Sequence, residues 1–110
     1  MRELTKAEEL VLLTILRLKN DAYGVSIKQG IQSTTGQEYP YGTLYFLLDQ
    51  LTQKGLVKRR KGSPTPERGG RSKTFYTLSP EGRNALKRSF EMQQKTWNGF
   101  SEIQVEEAGK

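Results

Sequence analysis

The first apolar stretch of the chain predicts a helix over residues 5–19 that is buried on more than one side. Thr5 followed three residues later by Glu8 matches a capping box. The apolar positions after it leave almost no polar face: Leu10, Val11, Leu12, Leu13, Ile15, Leu16 and Leu18. In a small domain such a helix lies at the centre or packs against a second chain.

Two amphipathic segments follow, and both have helical spacing. Asn20 and Asp21 are expected to end the first helix and to cap the next, which should span about residues 23–33. Pro40 favours an extended Tyr39, so a third helix is expected over residues 41–53. Its core stripe consists of Leu44, Leu47, Leu48 and Leu51. Its outer side presents Gly42, Phe46, Asp49 and Gln53.

Residues 56–78 read as a β-hairpin. Gly55 is a good helix stop, and residues 56–61 and 72–78 have the composition of two antiparallel strands. The segment between them, residues 62–71, is rich in Gly, Pro and polar residues and predicts a mobile loop.

A last helix is expected after Ser79, with Pro80 in its first position. Its apolar and amide residues recur at steps of four and three, which is coiled-coil spacing over about two heptads. The stripe consists of Leu86, Phe90, Gln93, Trp97 and Phe100. We expect this helix, residues 80–103, to pack on the first helix of a second copy, and residues 104–110 to fray.

The charge of the chain is concentrated on the hairpin. Residues 54–73 hold eight of the eighteen Lys and Arg residues and one acid, Glu67, whereas the rest of the chain is nearly balanced. An imbalance this local usually has a polyanionic partner. A helix followed by a basic hairpin is the layout of a winged helix-turn-helix. The pattern therefore indicates that the binding partner is double-stranded DNA.

Composition excludes several other functions. The chain has neither Cys nor His, which removes thiolate and imidazole metal sites and the usual nucleophilic triads. Its acids are scattered, so we predict no catalytic residues, no metal and no cofactor. No apolar run is long enough to span a bilayer and no secretory signal is recognisable, so a cytoplasmic location is expected.

The candidate DNA contacts fall into two groups. The first turn of the third helix would enter a major groove, with hydroxyls and aromatic edges facing the bases: Tyr41, Gly42, Thr43, Tyr45 and Phe46. The wing would neutralise phosphates with Arg59, Arg60, Lys61, Arg68, Gly69, Gly70, Arg71 and Lys73. The alternatives are a solvated charge run for the wing, and ordinary packing for Tyr45 and Phe46.

The last helix carries the candidate dimer or ligand residues Leu86, Phe90, Trp97 and Phe100. Trp97 has two interpretations. It is either a simple dimer contact or a flat aromatic wall on which a small planar hydrophobic effector stacks.

These motifs, in this order, resemble the PadR family of bacterial transcriptional regulators. The resemblance covers about residues 4–86 and rests on Tyr23-Gly24, on Gly42-Thr43-Leu44-Tyr45, on the Gly69-to-Lys73 segment and on the run from Tyr76 to Gly82. It implies a winged helix-turn-helix, a dimer formed through the C-terminal helix, and repression released by a small molecule. The short single C-terminal helix resembles that of the compact branch of the family. Some members of this branch hold flat hydrophobic drugs between subunits with aromatic residues of that helix, and the resemblance implies that Trp97 is suitably placed for this role. Phe46 stands where the family typically has proline, so groove contacts there are not carried over.

The sequence therefore predicts a mainly α fold with a two-stranded β-wing, made of a winged helix-turn-helix domain over residues 1–79 followed by the dimerisation helix. The predicted function is a homodimeric, PadR-like DNA-binding repressor released by a hydrophobic or phenolic ligand. Two alternatives stay open: a winged-helix module that binds an acidic protein surface, and, less favoured by the composition, an enzyme on a helical scaffold.

Overall fold

The computed structural model describes residues 3–62 and 73–99. Four helices and a two-stranded antiparallel sheet make up this part of the chain, so the predicted mainly α fold with a β-wing is confirmed. In chain order the elements are α1 (Lys6–Leu18), a single 3-10 turn (Lys19–Asp21), α2 (Gly24–Thr35), α3 (Tyr41–Gln53), β1 (Val57–Lys61), β2 (Thr74–Leu78) and α4 (Pro80–Trp97).

The capping box at the start of α1 is confirmed. The backbone N–H of Glu8 donates to Thr5 Oγ1 at 3.1 Å, and the backbone N–H of Thr5 donates to Glu8 Oε1 at 2.9 Å. These two bonds satisfy donors that have no partner within the helix, which is why the helix begins here.

The start of α2 differs from the prediction, because Tyr23 and not Asp21 is its N-cap. Ser26 Oγ accepts from the backbone N–H of Tyr23 at 2.9 Å and is 2.6 Å from the carbonyl oxygen of Asp21. The side chain that orders the start of this helix is therefore that of Ser26, which lies after the N-cap. Residues 19–21 form the 3-10 turn. The helix ends at Gly36, whose φ of 76° suits glycine.

One hydrophobic core joins all the elements. The side chains from α1, α2 and α3 that are essentially inaccessible are Val11, Leu12, Ile15, Ile27, Ile31, Leu44, Leu48 and Leu51. Val57 and Tyr76 from the hairpin and Leu86 from α4 complete it. The other side of α1 is open, with Leu13 44% and Leu16 39% exposed. The sequence predicted burial on more than one side of this helix, but a single chain buries only one side.

The hairpin is tied to the helices through its second strand. Val57 pairs with Leu78 and Lys61 with Thr74, and Tyr23 forms an isolated bridge with Phe75 on the outer edge of β2. The backbone N–H of Tyr76 also donates to the carbonyl of Ala22 at 2.8 Å. The observed strands are shorter than predicted at their starts, and most of the predicted loop lies outside the described residues.

Helix α4 docks on the base of the hairpin. Ser79 is its N-cap, as predicted, and Ser79 Oγ accepts from the backbone N–H of Gly82 at 3.0 Å while donating to the carbonyl of Gly55 at 2.6 Å. Farther along, Ser89 Oγ and Gln93 Nε2 both donate to Glu9 Oε2, at 2.7 and 2.6 Å. These contacts hold α4 against α1 of the same chain.

Leu86 does not lie where the coiled-coil spacing placed it. It is only 7% exposed and packs in the core of its own chain, whereas Phe90 is 60% and Trp97 47% exposed. The spacing predicted Leu86 wrongly because steps of three and four show only that residues share a helix face. They do not show which of these residues contact the core of the same domain. Phe100 and residues 104–110, which were predicted to fray, lie outside the described residues, and the division into domains stays a prediction.

Candidate nucleic-acid interface

The first turn of α3 is presented to solvent by the leucines on its opposite side. Leu44, Leu48 and Leu51 are fully buried and hold the helix against the core. The five residues predicted as recognition contacts all lie on the exposed surface of this helix end: Tyr41, Gly42, Thr43, Tyr45 and Phe46. The surface they form carries no formal charge.

The aromatic residues of this turn are arranged by their neighbours. Tyr41 and Tyr45 stack with ring centroids 6.2 Å apart and an interplanar angle of 23°. Tyr45 also lies against α2, because a Cβ added to Gly24 would be 2.0 Å from its hydroxyl oxygen. The hydroxyl end of Tyr45 thus packs against α2, as the packing interpretation expects, but the residue is still 41% exposed. Phe46 is 61% exposed.

Three of the four predicted wing cations within the described residues have a neighbouring side chain that orders them, in one of two ways. Arg59 Nη1 lies 3.6 Å from Asp49 Oδ1 on the outer side of α3. Arg60 and Lys73 lie over the rings of Phe75 and Tyr23, and Lys61 is exposed at the end of β1. The remaining predicted wing contacts, Arg68, Gly69, Gly70 and Arg71, lie outside the described residues.

Tyr76 lies beneath this surface. Burial raises the pKa of Tyr76, and the nearby Tyr45 and Asp49 act in the same direction while Arg59 opposes them. The phenol is therefore neutral near pH 7 and adds no negative charge below the basic wing.

The far end of α3 is anchored by a buried acid. Lys54, the C-cap of α3, forms an ion pair with Glu8, whose side chain is 4% exposed. Burial by itself raises the pKa of Glu8, but hydrogen bonds from Lys54 and from the Thr5 backbone outweigh it, so the pKa of Glu8 is lowered. The pair connects the end of α3 to the start of α1.

One cation beside the candidate interface was missed from the sequence. Lys28 on α2 lies over the ring of Tyr41, with Nζ 5.4 Å from the centroid. A single lysine on a helix surface carries no signal in the sequence, because its significance comes from the neighbour that tertiary packing supplies.

In residues 3–62 and 73–99, no three His, Cys, Asp or Glu residues are grouped so that they could hold a metal ion. None of the helices in these ranges combines the length and apolarity needed to cross a membrane.

Comparison with protein families gives the decisive match: the model of the transcriptional regulator PadR-like family matches residues 12–88. The chain belongs to the PadR-like family. The matched residues of this PadR-like chain run from α1 through the wing into the first half of α4, so the expected family resemblance is confirmed. Trp97 lies beyond them.

Solved structures of similar fold include transcriptional regulators. RosR of H. salinarum is 26% identical, with a TM-score of 0.70, 98% of this chain and 90% of that chain being covered. A transcriptional regulator from Clostridium thermocellum is 24% identical over 86% of this chain and 91% of that one, with a TM-score of 0.65. A PadR family regulator from Clostridium difficile is 21% identical over 90% and 95%, with a TM-score of 0.62.

The two clostridial likenesses show the fold alone, because their identities are low. A comparison with curated proteins found no matching sequence. The PadR-like fold supports a DNA-binding transcriptional regulator, and members of such a family are typically not enzymes.

Proposed function

We propose that this PadR-like chain is a homodimeric, sequence-specific DNA-binding repressor of the cytoplasm. The single observation that carries the proposal is the exposed, uncharged first turn of α3, held outward by fully buried leucines and flanked by the cationic wing. DNA-binding regulators make two kinds of contact: phosphate contacts position the protein, and base contacts specify the sequence. The positive wing suits the first kind and the uncharged turn of α3 suits the second.

In this proposal Thr43 and the tyrosines of the turn face base edges in a major groove. Two copies of α3 would enter successive grooves about 34 Å apart, so the operator should be a pseudo-palindrome with half-sites one helical turn apart. The wing would supply phosphate contacts and most of the salt dependence.

The proposed dimer follows from an exposed apolar surface on two helices. Leu13 and Leu16 on α1 and Phe90, Met92 and Trp97 on α4 are each at least 39% exposed. A monomer seldom leaves so many large apolar side chains in water, and their burial against a second copy would enlarge a thin core. We assign α4 of one copy to the open side of α1 in the other.

The proposed release mechanism uses Trp97, which is 47% exposed near the end of α4. A planar hydrophobic or phenolic molecule stacked on this ring would favour a dimer geometry in which the two α3 helices no longer match the groove spacing. Repression would then end by population shift.

The DNA test begins by selecting a preferred sequence from random duplexes. The wild-type chain should then bind the selected duplex well above a random one. Thr43→Ala should lose affinity mainly on the selected duplex, because a base contact is removed. Ser33→Ala, which removes another exposed hydroxyl at the end of α2, is the matched control. Failure to enrich any sequence would instead favour the protein-interaction module.

The effector test uses the fluorescence of Trp97, the one tryptophan of the chain. A set of planar drugs and phenolic acids is titrated, and a molecule that stacks on the ring should quench emission at micromolar concentration and release the selected DNA. If no compound of the set changes the emission, Trp97 is a dimer contact and not a ligand-binding residue.

A further inference from the structure

Three cations near the start of α3 and on the wing lie over aromatic rings, and none of them pairs with a carboxylate of residues 3–62 or 73–99. The pairs are Lys28 over Tyr41 at 5.4 Å, Lys73 over Tyr23 at 3.9 Å and Arg60 over Phe75 at 4.7 Å, each measured to the ring centroid. Such distances lie within the range of cation–aromatic attraction.

A ring and a carboxylate order a cation with different consequences. Lys54 pairs with the buried Glu8, and the exposed Arg59 lies near Asp49, so each has a negative charge beside it that offsets part of its own. A ring restricts the cation without adding a negative charge. The ring-bound cations therefore keep their full attraction for an anion while losing part of the freedom that binding would otherwise restrict.

The two wing pairs arise from the register of the sheet. Arg60 is the cross-strand partner of Phe75, and Tyr23 forms the bridge on the other edge of β2, so the three side chains stand in a row. The Tyr23 and Phe75 rings meet edge to face at 5.6 Å. Lys73, one residue before β2 begins, lies over the Tyr23 ring of this row.

The third pair joins this row to the first turn of α3. Tyr41, beneath Lys28, stacks on Tyr45, and Tyr45 and Lys73 line the same open cleft of about 310 Å³ together with Tyr23. Lys28 and Lys73 thus flank the exposed turn that would enter the groove. Arg60 continues the row along the wing.

We propose that Lys28, Lys73 and Arg60 form a row of DNA-phosphate contacts, and that Tyr41, Tyr23 and Phe75 are the positioning residues that hold these cations ready. The inference rests on the proposed DNA-binding function and extends it to α2, where Lys28 becomes a contact.

The first experiment measures binding of the full chain to a random-sequence duplex over a series of salt concentrations. Lys28→Gln should reduce the slope of log binding constant against log salt by about 0.9 for each lost phosphate contact, and so by about 1.8 for the two copies of a dimer. Lys6→Gln removes an equal charge from the first turn of α1, beside Glu8 and the far end of α3. Because α3 has 13 residues, its far end is about 20 Å from its start, so the slope should not change for a charge removed on that side.

The second experiment tests positioning through Tyr41, which is 43% exposed and can be changed with little risk to the fold. Tyr41→Leu should weaken binding about two- to fivefold for each copy of the chain on the DNA, the factor that corresponds to a cation–aromatic contact of about 0.5–1 kcal/mol. On the same random-sequence duplex, Tyr41→Phe keeps the ring under Lys28 and should weaken binding less than Tyr41→Leu does. In the Lys28→Gln background, Tyr41→Leu should cost much less, because the cation it positions is gone.

The outcomes separate this inference from the proposed function. A wild-type chain that binds no DNA overturns both. Binding by the wild type with the same salt slope for Lys28→Gln and Lys6→Gln overturns the phosphate contact at α2 alone. An equal effect of Tyr41→Leu in both backgrounds would show that the ring acts without Lys28 and would overturn its positioning role.

Discussion

Gly42 and Gly82 both lie in the first turn of a helix, and alanine should have opposite effects at the two positions. A Cβ at Gly42 would meet no heavy atom within 4 Å, whereas a Cβ at Gly82 would lie 2.1 Å from the carbonyl oxygen of Leu56. At Gly42 the added methyl only raises helix propensity, which stabilises by at most about 1 kcal/mol and by less in a first turn.

At Gly82 the obstacle is backbone and cannot turn aside as a side chain could. The Leu56 carbonyl also accepts from the backbone N–H of Ser79 at 3.0 Å, so moving it would disturb the cap of α4. Overpacking of this kind costs about 1–3 kcal/mol. Since 1 kcal/mol shifts the melting temperature of a small domain by about 4 °C or more, Gly82→Ala should lower Tm by at least about 4 °C.

The assay combines thermal unfolding followed by circular dichroism with DNA titration. Gly42→Ala should raise Tm slightly and yet weaken DNA binding, because the new methyl would stand between α3 and the groove. An unchanged or higher Tm for Gly82→Ala would refute the close docking of α4 on Leu56. A lower Tm for Gly42→Ala would refute the open position of that glycine, and undiminished DNA binding would remove this turn from the interface.

Three further expectations concern stability and assembly. Leu48→Ala should lower the free energy of unfolding in urea by about 2–5 kcal/mol, because the side chain is fully buried; a negligible change would contradict the register of α3. The pKa of Glu8 is lowered by folding, so its contribution is present above its ordinary value of 4.5 and is lost as the pH falls through the lower folded value. Glu8→Gln should therefore flatten the acid side of the stability profile, and an unchanged profile would exclude the ion pair with Lys54. Leu16→Glu should leave the fold intact but shift sedimentation towards monomer, and an unaltered dimer would place the interface elsewhere.

Much of the fold was readable from the sequence because its signals act over three or four residues. The Thr5 and Ser79 caps and the leucine stripe of α3 each depend on neighbours within a helical turn or two. The PadR-like order of motifs was readable for the same reason, since it consists of short local patterns at fixed spacing. The exposed first turn of α3 follows from them.

Tertiary structure decided which faces meet, and periodicity carries no such information. Leu86 shares helical spacing with Phe90 and Trp97, yet only the docking of α4 through Ser79 and Gly82 turns Leu86 into the core. The local pattern at Asp21 likewise predicted a cap that Tyr23 supplies.

The candidate interface divides in the same way. From the sequence alone came the basic hairpin and the uncharged turn of α3, because composition and spacing are local properties. Only the folded chain set Lys28 over Tyr41 and Arg60 over Phe75, pairs whose members lie 13 and 15 positions apart. The packing of α2 against α3 and the register of the wing create these contacts. Neither can be predicted from one segment of the chain alone, because each depends on two segments meeting in the fold.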